Sequence, residues 1–204
     1  MQEKATAQPT ANSFLEMWKH FNQMAHDSGI VRTALTKHSP KDSTWLNYYL
    51  YFNHYQVLGQ TLLVYCLREE LDIAATYEFS EFDLTGYSLE PEQEHHDEEA
   101  GNLRQALDDV DVLQFASVRD VPELKRTLPK LLKTEGMLKV LVLPELEGQE
   151  LEEYRCLFEP KFSNHANLGK TEYVVLAPQV QEDREVSWQY LVYGRSTAAS
   201  LTNL

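Results

Sequence analysis

The sequence predicts an α+β or α/β protein in which an N-terminal pair of helices packs on a mixed sheet of about five strands. Apolar residues at helical spacing dominate residues 13–71, whereas short apolar runs of strand length recur after residue 72. Strand-like and helix-like segments then alternate, which is typical of βαβ units and indicates that part of the sheet is parallel.

The N-terminal region is expected to contain two helices. The first is predicted to begin at Ser13 and to end near Gly29, because the apolar residues between them fall at helical spacing. The second is predicted to run from Asp42 or Ser43 to about Leu71. Its apolar residues occupy nearly all sides, so we expect it to be buried at the centre of the fold.

The remaining elements follow from short apolar runs separated by turn residues and by amphipathic segments. Strands are predicted at 73–79, 109–118, 137–145, 172–178 and 186–194, and helices at 121–136 and 148–158. The last two strands are expected to form a hairpin across residues 179–185.

One compact domain accommodates these elements, since 204 residues suit a single domain. Its expected parts are a flexible N-terminus (1–12), a helical subdomain (13–71), an α/β subdomain (72–195) with an acidic loop (81–102), and a loose tail (196–204).

Charge is distributed unevenly along the chain. The net charge is −14, and residues 69–103 hold twelve Asp and Glu without one Lys or Arg, whereas residues 119–139 are mildly basic. Binding to nucleic acid requires a concentrated positive surface, so direct binding of DNA or RNA is not expected. An acidic protein is suited to basic protein partners.

The stretch EPEQEHHDEE (90–99) concentrates this charge and allows three readings, namely a metal site, a mimic of a polyanion such as DNA, and a solvated loop. Its carboxylates are Glu90, Glu92, Glu94, Asp97, Glu98 and Glu99. His95 and His96 are weak candidates for metal ligands, because neither a helix nor a strand directs two adjacent side chains at one ion. We therefore interpret the stretch as a solvated loop that docks a basic protein partner.

The segment VPELKRTLPKLLK is predicted to be an amphipathic helix with a basic solvent face, formed by Lys125, Arg126, Lys130 and Lys133. Such a face suits an acidic partner, including the acidic loop of a second copy of the chain, so a homo-oligomer is a hypothesis. Pro129 is expected to kink this helix or to start a second one.

Four further motifs suggest chemistry but are incomplete. NHANLGKT (164–171) ends like a phosphate-binding loop but precedes a strand rather than a helix. Glu159-Pro160-Lys161 and Glu145 faintly resemble elements of a restriction-like nuclease, Cys156 and His165 suggest a nucleophile and base, and His54 lies in an aromatic segment suited to haem. We interpret each as a structural feature.

No secretory signal is expected, because the N-terminal residues lack an apolar stretch. Residues 45–67 carry no formal charge and are long enough to span a bilayer, but their Asn, His and Gln residues favour a buried helix instead. The two cysteines are expected to be buried and reduced, which favours a cytoplasmic location.

These observations favour a non-catalytic interaction protein, such as an adaptor, inhibitor or regulatory subunit, that needs no cofactor. One alternative is a metal-dependent hydrolase or nuclease that uses scattered Asp, Glu and His ligands. The other is a small-ligand or haem sensor built on the aromatic helix 45–67.

Overall fold

A computed structural model of the chain describes residues 9–38, 44–51, 61–77, 83–88, 111–134, 136–146, 149–169, 171–181, 185–194 and 202–203. They form a mixed sheet with helices packed on it, as the sequence predicts, and the helices lie on both faces. The helices are α1 (Ala11–Asp27), α2 (Ile30–Lys37), α3 (Thr44–Tyr51), α4 (Leu62–Leu71), α5 (Val121–Lys133) and α6 (Gln149–Leu168). The strands are β1 (Ile73–Tyr77), β2 (Leu84–Ser88), β3 (Asp111–Ser117), β4 (Leu138–Val142), β5 (Glu172–Val180), β6 (Val186–Tyr193) and β7 (Thr202–Asn203).

The strands follow one another across the sheet in chain order. The three central strands, β3, β4 and β5, are parallel, while the pairs at both sides are antiparallel. Helix α5 connects β3 to β4 and helix α6 connects β4 to β5, so both predicted βαβ units are present. The two crossovers step in the same direction, and right-handed connections then place both helices on one face.

The N-terminal helices cover the other face. Trp18 of α1 is fully buried and makes an edge contact with Trp188 of β6, at 5.0 Å between ring centroids. Phe115 of β3 lies 6.2 Å from the same indole. The first helix begins earlier than predicted, because the side chain of Thr10 caps it by accepting a hydrogen bond from the backbone N–H of Ser13.

The prediction of a single long helix that ends near Leu71 is wrong. The described N-terminal region has four helices instead of the two that were expected. Thr61 has an extended backbone, and its hydroxyl accepts a hydrogen bond from the N–H of Val64. Thr61 is therefore the N-cap at which α4 begins, so α4 is not a continuation of the helix that ends at residue 51. Apolar spacing alone does not reveal this interruption, because α3 and α4 are both buried.

The opposite face packs against α5 and α6. Leu124 and Leu128 of α5 and Phe158 and Phe162 of α6 are fully buried between these helices and the sheet. Phe162 stacks on Tyr173 of β5, with ring centroids 4.3 Å apart. Pro129 lies inside α5, which continues to Lys133 without a second helix starting.

The strand count also differs from the prediction. Six strands of five or more residues lie in the described part of the sheet, where about five were expected. The additional one, β2, lies inside the range predicted to be an acidic loop (81–102). In the tail predicted to be loose, residues 202–203 form β7 and pair with β6. The predicted hairpin of the last two long strands is confirmed, because β5 and β6 pair antiparallel.

Candidate functional site

The acidic residues predicted to bind a partner lie outside the described residues. This holds for all six carboxylates of 90–99, for His95 and His96, and also for His54. The structure does describe where this stretch is inserted. It belongs to the connection 89–110, whose flanking strands β2 and β3 are direct antiparallel neighbours.

The predicted basic face lies on α5. Lys125, Arg126 and Lys133 are exposed, and Lys130 is half-buried. Arg126 and Lys130 turn toward one side of the helix, where they line a groove. Lys125 and Lys133 do not line it. Two of the four residues of the predicted basic face thus line the groove.

The groove lies between α5 and the carboxyl end of β3, and its volume is about 390 Å³. Its lining residues are Asp83, Ala116, Ser117, Glu123, Arg126, Thr127 and Lys130. Four of these residues belong to α5. Arg126 and Thr127 are adjacent, and each lies three or four positions from both Glu123 and Lys130, so all four share one face of the helix. Ligands of parallel sheets commonly bind at the carboxyl ends of strands, which is where this groove is found.

Asp83 and Ser117 form the floor of the groove at the strand end. One carboxylate oxygen of Asp83, Oδ2, accepts hydrogen bonds from the backbone N–H of Ser117 at 2.5 Å and from its hydroxyl at 2.7 Å. The nearby phenol of Tyr51 is largely buried. Burial, and next the Asp83 carboxylate, raise the pKa of Tyr51 above its ordinary value.

Glu123 is paired with Arg119 at the first turn of α5. The guanidinium of Arg119 donates to both carboxylate oxygens of Glu123, at 3.1 and 3.2 Å, and its backbone N–H donates as well. These hydrogen bonds lower the pKa of Glu123, and the charge of Arg126 contributes in the same direction. Both carboxylates of the groove are thus already hydrogen-bonded.

The arrangement can bind a polar molecule but offers no complete catalytic constellation among the described residues. Sequence reasoning found Arg126 and Lys130 from the periodicity of the helix but missed Asp83, Ser117 and Thr127. Ser117 was detectable, because a polar residue that ends a parallel strand before a helix is a common ligand contact. Asp83 was not detectable, since β2 was not predicted.

A second polar cluster is buried beneath α5. The strand registers align Thr85, Gln114, Lys139 and Tyr173 in one row across four strands. Lys139 is 1% exposed, and its ammonium donates to the backbone carbonyls of Leu131, at 2.5 Å, and Thr134, at 2.6 Å.

These carbonyls lie at the carboxyl end of α5, where a buried cation stabilises the helix dipole. The burial of Lys139 is accordingly explained by its contacts with the end of α5.

Cys156 and His165 do not form a catalytic pair. Nine residues separate them on α6, which places them on opposite sides of the helix and about 13 Å apart along its axis. The ring of His165 bonds to the hydroxyl of Tyr173 at 2.6 Å. Cys156 is exposed, so the prediction that both cysteines are buried is wrong for this one, whereas Cys66 is buried.

The remaining motifs also lie in elements that differ from those the motifs require. Glu159, Pro160 and Lys161 are inside helix α6, whereas the nuclease element needs a strand. Glu145 accepts a hydrogen bond from the N–H of Val180 at 2.9 Å. The segment 164–171 contains the end of α6 and precedes β5, so no helix begins after it.

The described ranges lack two kinds of structural feature. No group of three or more His, Cys, Asp or Glu side chains is arranged there to hold a metal ion. None of the described helices combines the length and apolar character that crossing a membrane requires. No protein-family model and no curated protein sequence matches the chain.

Proposed function

We propose that this chain is a non-catalytic protein-interaction module that binds the basic surface of a protein partner through its acidic connection 89–110. The observation that carries the proposal is the length and composition of this connection. Strands β2 and β3 are antiparallel neighbours, and hairpin loops of two to five residues commonly join such strands. This chain uses 22 residues, among them eight Asp and Glu and one Arg.

The concentration of charge supports a binding role over a packing role. Unpaired like charges within a short segment repel one another and disfavour compact order. A basic partner relieves this repulsion and accelerates association by electrostatic attraction. The free thiols Cys66 and Cys156 favour a cytoplasmic setting as part of the same proposal.

Fluorescence anisotropy with a labelled peptide of alternating lysine and serine tests the proposal. The first variant changes Glu90, Glu92, Glu94, Glu98 and Glu99 to Gln and Asp97 to Asn. Each exposed ion pair contributes about 0.3 kcal/mol, so the loss of six pairs should raise the dissociation constant roughly twentyfold. The measurement is made at low salt, because exposed charge pairs are screened as salt is added.

A charge-matched control separates local recognition from net charge. Its six substitutions to Gln or Asn are at exposed acids elsewhere, namely Glu16, Asp27, Glu150, Glu152, Glu153 and Glu185. We expect this control to bind the peptide within about threefold of the wild type. Equal weakening in both variants would contradict the proposal, because binding would then follow net charge alone.

The homo-oligomer hypothesis is tested separately. The exposed basic residues Lys125, Arg126 and Lys133 of one copy are available to the acidic connection of another. Sedimentation at 50 and 500 mM NaCl distinguishes the outcomes. A species that dissociates as salt rises supports pairing of the two surfaces, and a size independent of salt contradicts it.

A further inference from the structure

The groove beside α5 has hydrogen-bond donors that the fold itself does not use. The guanidinium of Arg126 makes no hydrogen bond or ion pair with any described residue, although it lies near enough to Glu123 to lower its pKa. The half-buried Thr127 likewise uses its hydroxyl in no hydrogen bond within the described ranges. Both residues line the groove.

The two donors have complementary chemistry. A guanidinium presents a planar fork that matches the oxygens of phosphate, and a neighbouring hydroxyl supplies a further donor. Lys130 lies one turn further along the same face and contributes positive charge. This end of the groove is therefore suited to an anion, in a protein whose net charge is −14.

The opposite end of the groove is suited to hydroxyl groups. Asp83 uses Oδ2 for both of its hydrogen bonds to Ser117, and its Oδ1 accepts no hydrogen bond within the described ranges, although the buried phenol of Tyr51 lies beside this carboxylate. Glu123 is engaged at both oxygens by Arg119. Glu123 and Lys130 are seven residues apart, which corresponds to about 10 Å along the helix.

We propose that this groove binds a small phosphate monoester that carries hydroxyl groups. Arg126 and Thr127 hold its phosphate, and Asp83 accepts a hydrogen bond from a hydroxyl group. The volume of about 390 Å³ lies within the range of small-molecule sites and accommodates a molecule the size of a sugar phosphate. None of its lining residues belongs to the acidic connection, and the proposal does not depend on the protein partner proposed above.

Isothermal titration calorimetry with ribose 5-phosphate tests this proposal, with ribose and inorganic phosphate as comparisons. We expect binding of ribose 5-phosphate at millimolar concentration or better, at least tenfold weaker binding of inorganic phosphate, and no detectable binding of ribose. The substitution R126Q should weaken the binding of ribose 5-phosphate at least tenfold, and T127V should weaken this binding several-fold. The matched control R32Q removes another exposed arginine, from α2, and should leave binding unchanged.

Three results would overturn the proposal. These are no heat of binding with 10 mM ribose 5-phosphate, equal effects of R126Q and R32Q, and inorganic phosphate binding as tightly as the ester. Because Arg126, Thr127 and Arg32 lie at the surface or near it, thermal unfolding curves should show that all three variants fold. The variant D83N is expected to bind ribose 5-phosphate more weakly than the wild type does, but to bind inorganic phosphate equally well. An equal loss for both would contradict the role assigned to Asp83.

Discussion

Gly86 of β2 is the position at which a single methyl group should disturb the sheet most clearly. A Cβ added there would lie 2.6 Å from Cγ2 of Ile73 and 3.0 Å from Cβ of Leu113. Both neighbours are almost fully buried, at 1% and 0% exposure, so neither can move aside into solvent. The close approach, and not backbone conformation, explains the glycine.

We expect Gly86→Ala to lower the free energy of unfolding by about 2 kcal/mol, because overpacking a dense core typically costs about 1–3 kcal/mol. For a chain of this length, that corresponds to a fall in Tm of about 4–8 °C. Urea unfolding followed by tryptophan fluorescence measures the change, since Trp18, Trp45 and Trp188 are all buried. The slope of the transition should remain that of the wild type.

Gly169→Ala serves as the matched control. The added Cβ would meet the carbonyl oxygen of His165 at 3.6 Å and the N–H nitrogen of Thr171 at 3.7 Å, which are ordinary contacts. This substitution should change stability by less than about 0.5 kcal/mol. If Gly86→Ala were as mild as the control, the steric reasoning would be refuted.

A double-mutant cycle with Ile73→Ala examines the contact itself. The alanine at position 73 lacks Cγ2 and leaves a cavity that the new methyl at position 86 partly fills. The double variant should therefore be more stable than the sum of the single effects predicts, by at least about 0.5 kcal/mol. Additive effects would show that the two side chains do not compete for space.

Three further predictions concern a helix cap, the thiols and an ion pair. Thr61→Ala should cost about 1 kcal/mol in urea unfolding, because α4 loses its N-cap, whereas Thr61→Ser should cost less. Cys156 should react at once with Ellman's reagent, and Cys66 only when urea is added. Burial raises the pKa of Cys66 to about 12, above its value in the unfolded chain, so its stabilising contribution is complete below about pH 8.5 and is lost as pH rises toward 12. Unfolding at pH 8 and pH 10.5 should show a smaller decline for Cys66→Val than for the wild type, and an equal decline would contradict this. The hydrogen bond from Arg119 lowers the pKa of Glu123, so the pair stabilises the fold above about pH 4.3 and is lost as pH falls further. Because Arg119 is 63% exposed, Glu123→Gln should reduce the loss of stability between pH 5 and pH 3 by less than about 1 kcal/mol, and a larger or opposite change would argue against the pair.

The elements that local pattern determines were predicted well. Strand β4 is buried at all five positions, and four of the five residues are apolar, which is typical of a central parallel strand; the exception is the buried Lys139. Helix α5 follows the periodicity of its leucines, with Leu124, Leu128 and Leu131 buried. In each case, the chemical character of neighbouring residues in sequence is sufficient to determine which side faces the core.

The elements that depend on distant contacts were missed or misjudged. The segment LTGYS has a glycine at its centre and lies within the acidic region, so its own pattern does not indicate a strand. It becomes β2 because β1 and β3 supply hydrogen-bonding partners on both sides. Helix α6 extends beyond the predicted end at residue 158 and includes Pro160. The carbonyl of Cys156, which that proline cannot bond, lies on the exposed side of the helix, where water can serve instead.

The candidate groove likewise has some lining residues that the sequence predicts and others that it does not. Arg126 and Lys130 are located by the periodicity of α5, which needs no knowledge of the rest of the chain. Asp83 reaches Ser117 only because Leu84 pairs with Phe115, and a shift of that register by one residue would turn the β2 side chains to the other face. The position of the carboxylate therefore depends on an antiparallel pairing across the 22-residue acidic connection, and no local pattern in the sequence specifies it. The helix therefore determines which cationic residues line the groove, whereas the pairing of the strands determines where Asp83 and Ser117 lie in it.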